Sequence, residues 1–176
     1  MSAKSRKPEP KLVVHLGTGG ITMVKTPKYA ARFPQVHFVG IDVQPAQSTR
    51  PNWTQLHADF IKGLRRISPG SAHIISSDRA VGEYGPHATE FVDPETTPYT
   101  EHVLKLALQR LTPEGKMYLS VGSELAKERI RTALEKLGAP FQLRRMTDLE
   151  RRRTPSTQAE NPLHGYQFTV SAKKRE

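Results

Sequence analysis

The stretch VVHLGTGG, residues 13–20, decides how this chain is to be read. A β-branched apolar run ends abruptly in Gly17, Gly19 and Gly20. Such a run reads as a buried strand, and a glycine turn at its end lets the backbone bend close to a ligand, because glycine has no Cβ in the way. Outward from it, KLVVHLG (11–17) is the first predicted strand, and TPKYAARFP (26–34) is a helix opened by Pro27 and stopped before Pro34. QVHFVGIDV (35–43) follows as a second strand and NWTQLHAD (52–59) as a weaker third. FIKGLRRI (60–67) reads as a short helix, and SAHIISSD (71–78) as a fourth strand entered through the Pro69-Gly70 turn.

A long connection over 79–97 carries glycines and prolines and few helix or strand signals, a length usually functional in compact domains. YTEHVLKLALQRL (99–111) has the apolar spacing of a buried helix, and TPEGK (112–116) turns it into the strand MYLSVG (117–122). SELAKERIRTALEKLG (123–138) is a helix with Ser123 as N-cap and Gly138 as its end. APFQLRRMT (139–147) and YQFTVSAKK (166–174) complete seven strands, separated by the charged segment 148–165. Strand alternating with helix predicts an α/β three-layer sandwich with a mainly parallel seven-stranded sheet and right-handed crossovers. The last strands have little helix between them, so one antiparallel strand is expected near the C-terminus.

At 176 residues the chain is long enough for one domain with a proper core, read as 11–176 behind a flexible basic arm at 1–10. The formal charge of +10 favours an acidic partner, of which nucleic acid is the commonest. The absence of cysteine excludes disulfides, thiolate metal sites and a cysteine nucleophile. The seven histidines show no metal-ligand spacing, so no metal is expected. No apolar run approaches the roughly 20 residues of a membrane helix, and the arm is no signal peptide. The protein is expected to be cytoplasmic, and a long helix on a compact core is compatible with a homodimer.

Ligands of open parallel sheets bind beyond the carboxyl ends of the strands, where the glycine turn, Asp42 and Asp59 would meet. A carboxylate at Asp42 can accept both hydroxyls of a ribose, and Asp59 can accept an adenine amino group with Phe60 beside the ring. Singly, each has a bland reading: a tight βα turn, or a helix cap at Asp42 or Asp59. Together and in this order they point to an adenosine ligand. A dinucleotide would want G-x-G-x-x-G, but the sixth position from Gly17 is Thr22, and a P-loop lacks its G-K-[ST] ending. The remaining adenosine ligand without phosphate is S-adenosylmethionine.

Through VVHLGTGG, FVGIDV, LHADF, HIISSD and LTPEGKMYLS, in that order, the chain resembles the class I S-adenosylmethionine-dependent methyltransferases from about residue 11 to 174. The resemblance implies a Rossmann-like fold and a cofactor site of His15, Gly17, Thr18, Gly19, Gly20, Asp42, Val43, Asp59, Phe60 and Ser77. Two positions depart from the family pattern: His15 stands where an acid usually helps hold the methionine ammonium group, and Ile21 replaces the third motif glycine. After the fourth strand, Asp78 is the candidate catalytic residue, able to accept a proton or hold a base edge. Arg79, Tyr84 and His87 are candidate acceptor contacts, although no N-P-P-Y motif is present. Arg144, Arg145, Arg151, Arg152 and Arg153 form a cluster suited to an RNA backbone. The tail also resembles, through Thr157 and Glu160, the end of tRNA (guanine-N7) methyltransferases, without that family's acid-proline-tryptophan-proline motif. The expected function is methyl transfer to an RNA base in tRNA or rRNA. Its rivals are a degenerate methyltransferase fold that binds without turnover, and a small-molecule or peptide methyltransferase.

Overall fold

The computed structural model describes residues 11–18, 30–44, 51–84, 96–147 and 165–172. They form a seven-stranded sheet of order β3-β2-β1-β4-β5-β7-β6. The strands are β1 (Lys11–Leu16), β2 (Val36–Asp42), β3 (Trp53–His57), β4 (Ala72–Asp78), β5 (Leu111–Val121), β6 (Phe141–Arg145) and β7 (Tyr166–Ser171). β1 to β5 pair in parallel, while β7 runs antiparallel between β5 and β6. The expected antiparallel strand is therefore present, one place in from the sheet edge.

Three helices follow the predicted order: α1 (Phe60–Arg65), α2 (Thr96–Arg110) and α3 (Glu124–Lys136). α3 begins as read, with the Ser123 hydroxyl accepting from the Ala126 N–H at 3.1 Å. α2 starts three residues earlier than the pattern suggested, with Pro98 inside its first turn, where a missing N–H leaves no helical bond unmade. The predicted TPEG turn lies within β5, whose pairing jumps from Ala72↔Leu111 to Ile74↔Lys116. Only part of the helix predicted over 26–34 can be described, as a helical turn at 30–32.

Register explains how the two sheet faces differ. Leu56, Ile41, Leu16, Ser77, Leu119, Phe168 and Leu143 lie side by side across all seven strands. This row faces α1, α2 and α3, and the core closes on it with Leu64, Val103, Leu104, Ile130 and Leu134 fully buried. Each such side chain contributes about 1.5–3 kcal/mol by leaving water. One residue back along each strand, and one forward along the antiparallel β7, the opposite face carries Gln55, Gly40, His15, Ser76, Tyr118, Thr169 and Gln142 in a second row, polar except at Gly40. Parallel strands covered on both faces usually read as continuous apolar runs, so a polar row across their middle is a departure with consequences at the site.

Candidate functional site

The carboxyl ends of β3, β2, β1 and β4 are neighbours, as the strand order requires. Gly17, directly after β1, has φ 77°, and its N–H donates to the Ile41 carbonyl at 2.9 Å. A Cβ on it would lie 2.3 Å from Ala80 Cβ and 3.5 Å from the Phe60 ring, so both conformation and space demand glycine there. Thr18 is fully buried, with its Oγ1 accepting from Gln55 Nε2 at 2.8 Å, so its side chain faces the sheet. Asp42 closes β2 as a buried carboxylate whose Oδ1 accepts from the Gln44 N–H at 2.8 Å. Beside it Val43 is 42% exposed, an apolar side chain left open at the strand tips.

Asp59 takes the capping role: Oδ1 accepts from the Lys62 N–H at 3.0 Å, and Lys62 Nζ lies 3.4 Å from Oδ2. The ring of Phe60 stacks on Tyr99 with centroids 6.4 Å apart, and the Phe60 N–H donates to Tyr99 Oη at 3.2 Å. Burial pushes the Tyr99 phenol up to about 12, against a lowering by that backbone bond and with a further rise from Asp59. Tyr99 therefore stays neutral at physiological pH.

His15 sits on the polar face, its Nδ1 2.7 Å from Ser76 Oγ. Its Nε2 is shut off from solvent and has no hydrogen-bond partner among the described residues. Burial lowers its pKa below 6.5, outweighing the opposing pull of Asp78 and Asp42. At neutral pH it is an uncharged ring and provides no counterpart to an ammonium group.

Beyond β4 the chain doubles back over the site. Ser77 Oγ accepts from the Val81 N–H at 3.1 Å, so this hydroxyl holds the turn that carries Ala80. Asp78 Oδ1 accepts from Ser120 Oγ at 2.5 Å, which orients the carboxylate at the strand tip. Arg79 has φ 51°, the one non-glycine residue with positive φ among those described. Such strain costs on the order of 1–3 kcal/mol and clusters at functional sites. Glu83 is buried, with Oε1 accepting from the Gly122 and Ser123 N–H groups at 2.7 and 3.2 Å and Oε2 from Ser123 Oγ at 2.9 Å. Next to it Tyr84 is half-buried, its phenol raised by burial and by the Glu83 charge.

Thus His15, Gly17, Thr18, Asp42, Val43, Asp59, Phe60, Ser77, Asp78, Arg79 and Tyr84 gather around four adjacent strand tips or the loop above them. Arg144 and Arg145 lie near the end of β6, beyond β5 and β7, about 14 Å further along the sheet at ordinary strand spacing. Gly19, Gly20, His87, Arg151, Arg152 and Arg153 lie outside the described residues, as do Thr157 and Glu160 and the arm at 1–10. Among the described residues no group of three or more His, Asp or Glu is placed to hold a metal ion. No described helix is long and apolar enough to cross a membrane.

In fold the chain is similar to solved structures of S-adenosylmethionine-dependent methyltransferases. The complex between the Haloferax volcanii Trm112 methyltransferase activator and a methyltransferase matches with a TM-score of 0.64 at 17% identity, over 96% of this chain and 84% of that one. The chain has the class I methyltransferase fold. An S-adenosylmethionine-dependent methyltransferase from Archaeoglobus fulgidus matches with a TM-score of 0.64 at 11% identity, over 92% and 86%. Geranyl diphosphate C-methyltransferase from Streptomyces coelicolor, solved with S-adenosylhomocysteine, matches at 0.61 and 11% identity, over 92% and 73%. No protein-family model and no curated protein matches the sequence.

Within this methyltransferase fold, four residues near the site escaped the sequence reading: Gln55, Ala80, Glu83 and Tyr99. Each acts through a contact far away in the chain, as with Gln55 on Thr18 or Tyr99 on Phe60. For Gly40 a local signal existed, a glycine inside a strand, which marks a close approach of neighbouring groups.

Proposed function

We propose that this chain binds S-adenosylmethionine and transfers its methyl group to a base of RNA. The observation that carries the first part is the meeting of the bare Gly17 turn, the buried Asp42 carboxylate and the Phe60 ring at adjacent strand tips. In this reading Asp42 accepts from the ribose hydroxyls, and Val43 and Phe60 offer apolar surface to the adenine. Asp59 holds the adenine edge while capping α1, since a carboxylate has acceptor sites for both. When bound, the cofactor supplies a methyl group already activated on a sulfonium centre. The protein's own task is then mainly alignment. Asp78, steadied by Ser120, would orient the acceptor edge or take its proton, and Arg79, Tyr84 and His87 would be further acceptor contacts. The charge of +10 and the number of arginines at 144, 145 and 151–153 support an RNA backbone as partner.

Isothermal calorimetry with S-adenosylmethionine tests this directly. Asp42→Ala is expected to weaken binding by about 1–3 kcal/mol through lost charge-assisted hydrogen bonds. Unchanged affinity would place the ribose elsewhere. A second reading, a binding protein on a degenerate methyltransferase fold that has lost turnover, is favoured by one observation: His15, at the position where the resemblance puts an acid, is buried, neutral and turned to Ser76. Absence of binding by the wild type at millimolar cofactor would support that second reading.

A further inference from the structure

We infer that Gln55 is a positioning residue that holds the glycine turn from beneath; its effect on the cofactor rests on the reading given above. Gln55 lies on β3, two strands away from β1, a separation of about 10 Å that its side chain, the 2.8 Å hydrogen bond and the Thr18 side chain span together. Its Nε2 donates to Oγ1 of Thr18, the fully buried residue next to Gly17. The bond joins residues 37 apart in sequence and ties the turn after β1 to the sheet edge.

Two observations set this contact apart from ordinary packing. The other end of the amide, Oε1, is shut off from solvent and has no hydrogen-bond partner among the described residues. A buried carbonyl left without a donor lowers stability, and an apolar side chain of the same shape would avoid that loss. Turning the amide over would exchange the two ends and still leave one bare. Stability therefore does not account for glutamine at this position, whereas its single bond to Thr18 does. The second observation is the intervening strand, which is stripped to make room. A Cβ on Gly40, the β2 residue in register with both Gln55 and His15, would lie 2.3 Å from Gln55 Oε1, 2.8 Å from Trp53 Cζ2 and 2.9 Å from Thr18 Cγ2. Gly40 leaves the gap through which Gln55 reaches across β2 to the turn.

Gln55→Met keeps the length and removes the amide. It is expected to leave Tm unchanged or higher, to speed amide exchange at Gly17 in the cofactor-free protein, and to raise the Kd for S-adenosylmethionine about tenfold, the loss of roughly one hydrogen bond. Thr18→Val should do the same, and the double variant should bind no worse than either single one, because both remove one contact. A fall in Tm in step with affinity would reduce Gln55 to a structural residue and overturn the inference. So would unchanged exchange at Gly17. Should the wild type not bind S-adenosylmethionine, faster exchange at Gly17 in Gln55→Met would still support the positioning role, and only the methyltransferase reading would fall.

Discussion

His15 occupies the position where an acid would be expected, and its surroundings determine what it can do there. Buried beside Ser76, with Asp78 and Asp42 near enough to oppose but not overcome the effect of burial, it titrates below 6.5. The unfolded chain therefore takes up a proton at this residue more readily than the folded one. The sign follows: stability is full above about pH 6.5 and declines as the pH drops below it. His15→Asn stays neutral and can still bond Ser76, so its Tm should fall less between about pH 7.5 and 5.5 than the wild type's. Equal slopes in the two proteins would show that His15 is not held neutral. The sequence marked His15 as a departure where an acid usually stands, but its neutral state comes from burial that only the folded sheet supplies.

Among the elements, α3 was the most legible and still kept one feature hidden. Ser123, the amphipathic spacing and Gly138 all lie within a single stretch, and local chemistry suffices to place such a helix. Glu83 was not legible, because it meets this helix start from a loop 40 residues earlier. There its carboxylate accepts three hydrogen bonds from Gly122 and Ser123 at the positive end of the helix. Glu83→Ala should lower stability by about 2–3 kcal/mol, seen as a lower urea midpoint at constant slope. Glu83→Gln should lose less, since its carbonyl can still accept from the two backbone groups. A variant as stable as the wild type would mean that Ser123 alone satisfies this helix end.

For the whole molecule the charge of +10 leads to a separate expectation. If the acceptor is RNA, its affinity should decline steeply with salt. Replacing Arg151, Arg152 and Arg153 together with serine should flatten the log–log slope by about 2 and leave cofactor affinity alone. Affinity indifferent to salt would point instead to a small neutral acceptor.

What the residues determined by themselves is the succession of strands and helices, the glycine turn and the carboxylates at strand ends, since periodicity, caps and breakers act over a few neighbours. Tertiary structure alone decided which of these meet. No strand taken singly predicts that Gln55, Gly40, His15 and Ser76 form one row, because register between strands is settled by the apolar row packing against the helices on the opposite face. That packing sets Gln55 under the turn and bares Gly40 beside it.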